Sequence, residues 1–150
     1  MSICLRATFS YLALAGSITI ASAQNASTDQ WQGPARAELK SFMLRQKAIV
    51  DIPARIAFYG DFDGDGQEDA LLFMYIPIEG AASGVDLDVA LFRGNAGRYK
   101  FFRKVPEIFG QSPHNVSFTN GKIDLTMKVP RQGDAHCCPT GSKSFTIRTK

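Results

Sequence analysis

Arg55-Ile56-Ala57-Phe58-Tyr59-Gly60-Asp61-Phe62-Asp63-Gly64-Asp65-Gly66-Gln67-Glu68-Asp69-Ala70-Leu71-Leu72-Phe73-Met74-Tyr75-Ile76 joins two apolar runs through a nine-residue acidic loop. The runs are rich in β-branched and aromatic residues and have strand length, so the loop is expected to connect two strands. Within it, carboxylates stand at positions 1, 3, 5 and 9 (Asp61, Asp63, Asp65, Asp69) and glycine at position 6 (Gly66). Alternate side chains of an extended, turning backbone point into one cavity, and Gly66 can adopt the positive φ that folds the chain around a small hard cation. Gln67 at position 7 would offer its backbone carbonyl. Without a cation the acids repel one another, by roughly 1 to 4 kcal/mol for a pair about 4 Å apart. Calcium is therefore the expected cofactor, with Asp61, Asp63, Asp65, Gln67 and Asp69 as its ligands. An EF-hand is excluded, because it requires helical flanks and a bidentate Glu at position 12, where this chain has Leu72.

The stretch Phe58 to Leu72 closely resembles the calcium loop of FG-GAP and VCBS-type repeats. The resemblance implies a loop joining two strands around a mainly structural ion. A looser echo of the hairpin that follows the loop in such repeats lies in Val89 to Phe101. A β-propeller built from these repeats needs several copies, and only one strong copy is present.

The first 23 residues read as an export signal. Arg6 is the single charge before a largely apolar stretch from Ala7 to Ile20, and Ala21-Ser22-Ala23 supplies a small-x-small cleavage site before Gln24. That apolar core falls short of the roughly 20 residues needed to span a bilayer, so no membrane span is expected after cleavage. A periplasmic or secreted location follows, and Cys4 would leave with the signal. Residues 24–150 then form a single domain, whose formal net charge falls from +3 to +2 with the loss of Arg6. So small a basic excess argues against a dedicated nucleic-acid binder.

The remaining elements follow from local chemistry. Gln24 to Gln32 is polar and expected to fray. Pro34 suits the first turn of a helix over 35–45, whose buried stripe would be Ala35, Leu39, Phe42, Met43 and Gln46. Val85 to Phe92 begins with period-two alternation, and Asp86 and Asp88 are read as solvated strand acids. Arg98 to Val105 interleaves basic and aromatic residues, as an amphipathic strand would. Asn120-Gly121 supplies the two positive-φ positions of a type I′ hairpin between 116–119 and 122–129. Ser144 to Arg148 forms a last strand. The expected class is α+β: an N-terminal helix packed on one mostly antiparallel β-meander sheet.

Cys137 and Cys138 are adjacent. Consecutive α-carbons sit about 3.8 Å apart, below the usual disulfide range of roughly 4.4 to 6.8 Å, so a vicinal bridge would be strained. A vicinal disulfide in a tight turn, intermolecular or unpaired thiols, and a metal or redox site using His136 all stay open. The run Asp134 to Gly141 is similar to the C-terminal segment of small exported bacterial proteins of the LppP/LprE lipoprotein type. That resemblance implies an exported domain family and no reaction.

No Gly-x-Ser-x-Gly, phosphate loop or His-Glu-x-x-His is present. The leading expectation is an exported, non-enzymatic domain with a structural calcium loop that binds an envelope protein or a glycan. The alternatives are an inhibitor of a hydrolase or protease, and a calcium-dependent hydrolase.

Overall fold

The two apolar runs form strands β1 (Ala57–Gly60) and β2 (Asp69–Pro77), which pair antiparallel with Gly60 opposite Asp69. The computed structural model describes residues 28–52, 55–81, 84–135 and 137–150. The expected export signal with Cys4 lies outside them, and so does His136.

Strands β3 (Val85–Asn95) and β4 (Arg98–Lys104) extend the first sheet in the order β1-β2-β3-β4. A second sheet holds β5 (Gln111–Thr119), β6 (Lys122–Val129) and β7 (Gly141–Arg148), again antiparallel and in chain order. The described residues thus contain seven strands and one α-helix, a mostly β domain. The meander expectation holds for each sheet, but the single sheet becomes two. The break falls at Val105 to Gly110. Val105 N–H still donates to the Val89 carbonyl at 2.8 Å, whereas Pro106 has no amide with which to continue the ladder. Gly110 turns at φ 114°, and a Cβ there would collide with the Lys128 carbonyl.

Helix α1 (Pro34–Arg45) has Pro34 in its first turn and buries Leu39 and Met43. Phe42 meets Phe92 edge-on with ring centroids 5.1 Å apart. Gln46, expected on the buried stripe, is instead exposed at the helix C-cap. Just beyond it Lys47 has φ 59°, its N–H donating to the Leu44 carbonyl while Ala48 N–H donates to that of Met43. This is the Schellman pattern with lysine where glycine is usual. No described helix is long and apolar enough to cross a membrane.

Side chains alternate along a strand, so Ala70 and Phe92, opposite one another, share the face that meets α1. Gly60 and Leu71 lie on the other face, and there a Cβ on Gly60 would lie only 2.5 Å from the Phe118 ring of β5. The helix therefore covers one face of the first sheet and the second sheet covers the other. Every residue from Asp69 to Tyr75 is buried as a result. Ile123, Leu125, Met127 and Ile147 supply the second sheet's part of the core.

Two local expectations change. Of the polar segment expected to fray, residues 24–27 lie outside the described residues, and Thr28–Trp31 forms a short 3-10 turn. Gln30 Oε1 accepts the Ile56 and Ala57 N–H groups at 3.0 and 3.2 Å, and its carbonyl accepts the Tyr59 hydroxyl. The hairpin at Asn120-Gly121 is present, with Thr119 opposite Lys122, yet only Gly121 has positive φ. The pair of positive φ angles that defines a type I′ turn occurs at Ala96 and Gly97, φ 49° and 77°, between Asn95 and Arg98. At 120–121 tertiary docking governs the turn: Gly121 N–H donates to the Phe62 carbonyl at 2.8 Å, and Asn120 lies against Gly64.

Candidate metal centre

The acidic loop leaves β1 at Asp61 and rejoins the sheet at Asp69. Its carboxylates first serve its own backbone. Asp61 accepts the N–H groups of Gly64 at 2.6 Å and Gly66 at 2.9 Å, one on each oxygen. Asp65 accepts the Gln67 N–H at 2.8 Å, and Asp63 accepts that of Asp65 at 3.3 Å. Gly66 has φ 82° as expected, and Gly64 shares that conformation at φ 85°. The amides of Gly66 and Gly64 hold the Asp61 carboxyl below its ordinary pKa, because they stabilise the ionised form.

Phe62 anchors the loop. It is fully buried and stacks on Phe102 with centroids 6.0 Å apart. Its carbonyl accepts both the Gly121 N–H and, at 3.0 Å, the Thr149 hydroxyl. Both sheets and the C-terminal segment therefore fix the loop.

The structure brings Asp61, Asp63 and Asp65 together. Each offers a carboxylate oxygen, and the three atoms lie within 4.8 Å of one another. Two oxygens bound to one cation at about 2.4 Å cannot be more than about 4.8 Å apart, and the cluster meets that condition. Asp65 is exposed, while Asp61 and Asp63 are partly shielded. The cluster can offer three carboxylate ligands, and backbone carbonyls or water would have to supply the rest of an oxygen shell.

Asp69 falls outside this group and is employed in the fold, and the Gln67 side chain is engaged there too, which leaves its carbonyl, the ligand expected of it, unaffected. Gln67 Oε1 accepts the Ala96 N–H at 2.7 Å, tying the loop to the β3–β4 turn. Asp69 is fully buried, with Oδ2 accepting the Phe62 N–H at 2.9 Å and Oδ1 that of Gly94 at 2.8 Å. Burial pushes its carboxyl pKa up; the two amides oppose the shift, and the charges of Asp63 and Asp65 add to it. Gly94 is required at this junction because a Cβ would run into the Glu68 carbonyl.

One participant has no signature in the loop motif. Arg93, on β3, places Nε 3.2 Å from Asp63 Oδ2, and its guanidinium lies 4.1 Å over the Phe102 ring. The β2–β3 pairing brings this cation to the site, and only the strand register could have revealed it. Behind the loop, Glu68 receives two 2.7 Å bonds from Arg36 and one from the Tyr99 hydroxyl, so its charge belongs to a separate network. Asp88 pairs with Lys104 at 2.7 Å, and Asp86 is exposed, as solvated strand acids are.

At the other end of the molecule Cys137 and Cys138 are disulfide-bonded to each other. His114, on β5, has Nδ1 2.8 Å from the Ser112 carbonyl.

No family model matches this chain, and no curated protein or solved structure matches it either.

Proposed function

We propose that this protein is an exported, non-enzymatic binding domain stabilised by a calcium ion held at Asp61, Asp63 and Asp65. The convergence of those three carboxylates within 4.8 Å carries the reading. Calcium is favoured because the ligands are all hard oxygens on a loop that can supply carbonyls and water, the donor set that this ion takes at about 2.3 to 2.6 Å. The FG-GAP/VCBS-like reading of the loop agrees with that assignment and rests on the loop residues alone. The ion's role is structural: it relieves repulsion in a loop to which Phe62 and Asp69 couple both sheets.

The partner surface we assign is the outer face of the second sheet. Ile123, Leu125 and Met127 point inward, leaving Lys122 opposite Arg148 and Lys128 opposite Ser142 on the outside. Residues 111–150 contain six Lys or Arg and two Asp. Both acids are already engaged, Asp124 by Lys122 and Thr146, and Asp134 by Arg131 and Thr140. A face of hydroxyls and cations suits an acidic envelope glycan.

Thermal unfolding with calcium or with chelator tests the ion. At ten times its dissociation constant, calcium is expected to stabilise the fold by about 1.4 kcal/mol. For a domain of this size that raises the midpoint by about 5 °C. Asp65→Ala should lose the increment; an equal midpoint under both conditions, in both proteins, would remove the ion from the proposal.

A further inference from the structure

A cross-link stabilises a fold chiefly by restricting the unfolded chain, and the effect grows with the number of residues it encloses. The Cys137–Cys138 bond joins neighbours and encloses none. It is therefore a poor structural staple. The loop that carries it, residues 130–140, is closed without it. Val129 pairs with Gly141 at its base. Above that base, Asp134 Oδ2 accepts the Arg131 and Thr140 N–H groups at 2.7 and 2.8 Å, and Oδ1 accepts the Thr140 hydroxyl at 2.8 Å. The Asp134 N–H returns a bond to the Arg131 carbonyl at 3.1 Å. Both cysteines are exposed, so their sulfurs can be approached from solvent.

We propose that Cys137–Cys138 is a reversible two-electron redox site whose partner is an external dithiol. A thiolate of the donor attacks one Sγ, the Sγ–Sγ bond breaks, and a mixed disulfide forms as the other cysteine leaves as a thiolate and takes up a proton. The donor's second thiolate attacks its own sulfur in the mixed disulfide and releases the remaining cysteine, which is protonated in turn. The donor gives up two electrons and two protons and becomes a disulfide; the protein pair becomes two thiols. Adjacency favours reduction, because α-carbons about 3.8 Å apart lie below the span that an unstrained disulfide prefers. Asp134 keeps the loop folded in both states.

Alkylation and peptide mapping of the full chain, which separates this pair from Cys4, test the proposal. Without reductant the Cys137–Cys138 peptide should carry no label; two labels after exposure to oxidised dithiothreitol would overturn it. Across graded dithiothreitol mixtures, half-reduction is expected below a reduced-to-oxidised ratio of about 0.1, and a higher ratio would overturn the claim of easy reduction. The thermal midpoint should fall less in the Cys137→Ser/Cys138→Ser double variant than in Asp134→Asn. The reverse order would make the sulfur bond a staple and sink the redox role.

Discussion

Two loops in this domain are built around aspartates, and they use them differently. In residues 130–140 one carboxylate, Asp134, accepts three hydrogen bonds from the loop, and no second acid is present. In residues 61–69 comparable work is done by Asp61, which holds two loop amides, and by Asp69, which holds the loop's base to β3. Asp63 and Asp65 are surplus to that anchoring. Each accepts one backbone amide from two residues along the chain, and Asp63 also draws Arg93 to its side. With Asp61 they crowd three carboxylates within 4.8 Å, a repulsion that a cation would relieve. The C-terminal loop has none to spare, which is why its chemistry is assigned to sulfur and that of the first loop to a cation.

The largest expected effect comes from the buried acid. Asp69→Ala leaves the buried Phe62 amide and the partly buried Gly94 amide without a partner and should destabilise the fold by about 3 kcal/mol. That corresponds to a midpoint lower by about 12 °C. An exposed ligand such as Asp65, replaced in chelator, should change the midpoint far less or raise it by removing repulsion. Equal losses at both positions would erase the distinction between structural and surplus carboxylates.

Acid tests the second loop and its sheet next. The Asp134 carboxyl is held below its usual pKa by the Thr140 and Arg131 amides, and that of Asp124 by Lys122 and Thr146. A depressed folded-state pKa gives stability that is present above the unfolded value and lost as pH falls through the folded one. Stability from these groups should therefore hold down to the ordinary carboxylate range near 3.8 and decline below it. Thermal midpoints measured in chelator from pH 5 to pH 2 should show the decline, shallower in Asp134→Asn; an unchanged slope in that variant would deny Asp134 its role.

A smaller effect is expected from Arg93. Among the described residues it is the cation paired with Asp63, at 3.2 Å with its side chain half exposed, so the pair is worth no more than about 1 kcal/mol. Arg93→Ala should lower the midpoint in chelator by a few degrees and widen the shift produced by calcium. A narrower shift would show that Arg93 supports the ion rather than competing with it.

Much of this was legible in the sequence. The strands on either side of the loop, the helix after Pro34, the meander order and the convergence of Asp61, Asp63 and Asp65 all follow from periodicity and spacing. The second sheet was not expected, although one signal bears on it. Ala70 to Met74 is apolar without alternation, and an antiparallel strand of that kind must be covered on both faces; a helix alone covers one. The roles of Asp69 and Gln67 could not be read, because their partners Gly94 and Ala96 stand on or beside another strand. Arg93 was hidden for the same reason. The type I′ turn was misplaced because local propensity at Asn120-Gly121 gave way to contacts with Phe62 and Thr149, far away in the chain.

Titration calorimetry of calcium into the chelator-treated full chain, with Asp63→Asn/Asp65→Asn as the comparison, bears on the surplus charge itself. One site with a dissociation constant on the order of 0.1 to 1 mM is expected for an extracellular-type loop, absent from the double variant. Identical heats from the two proteins, or none from either, would contradict it.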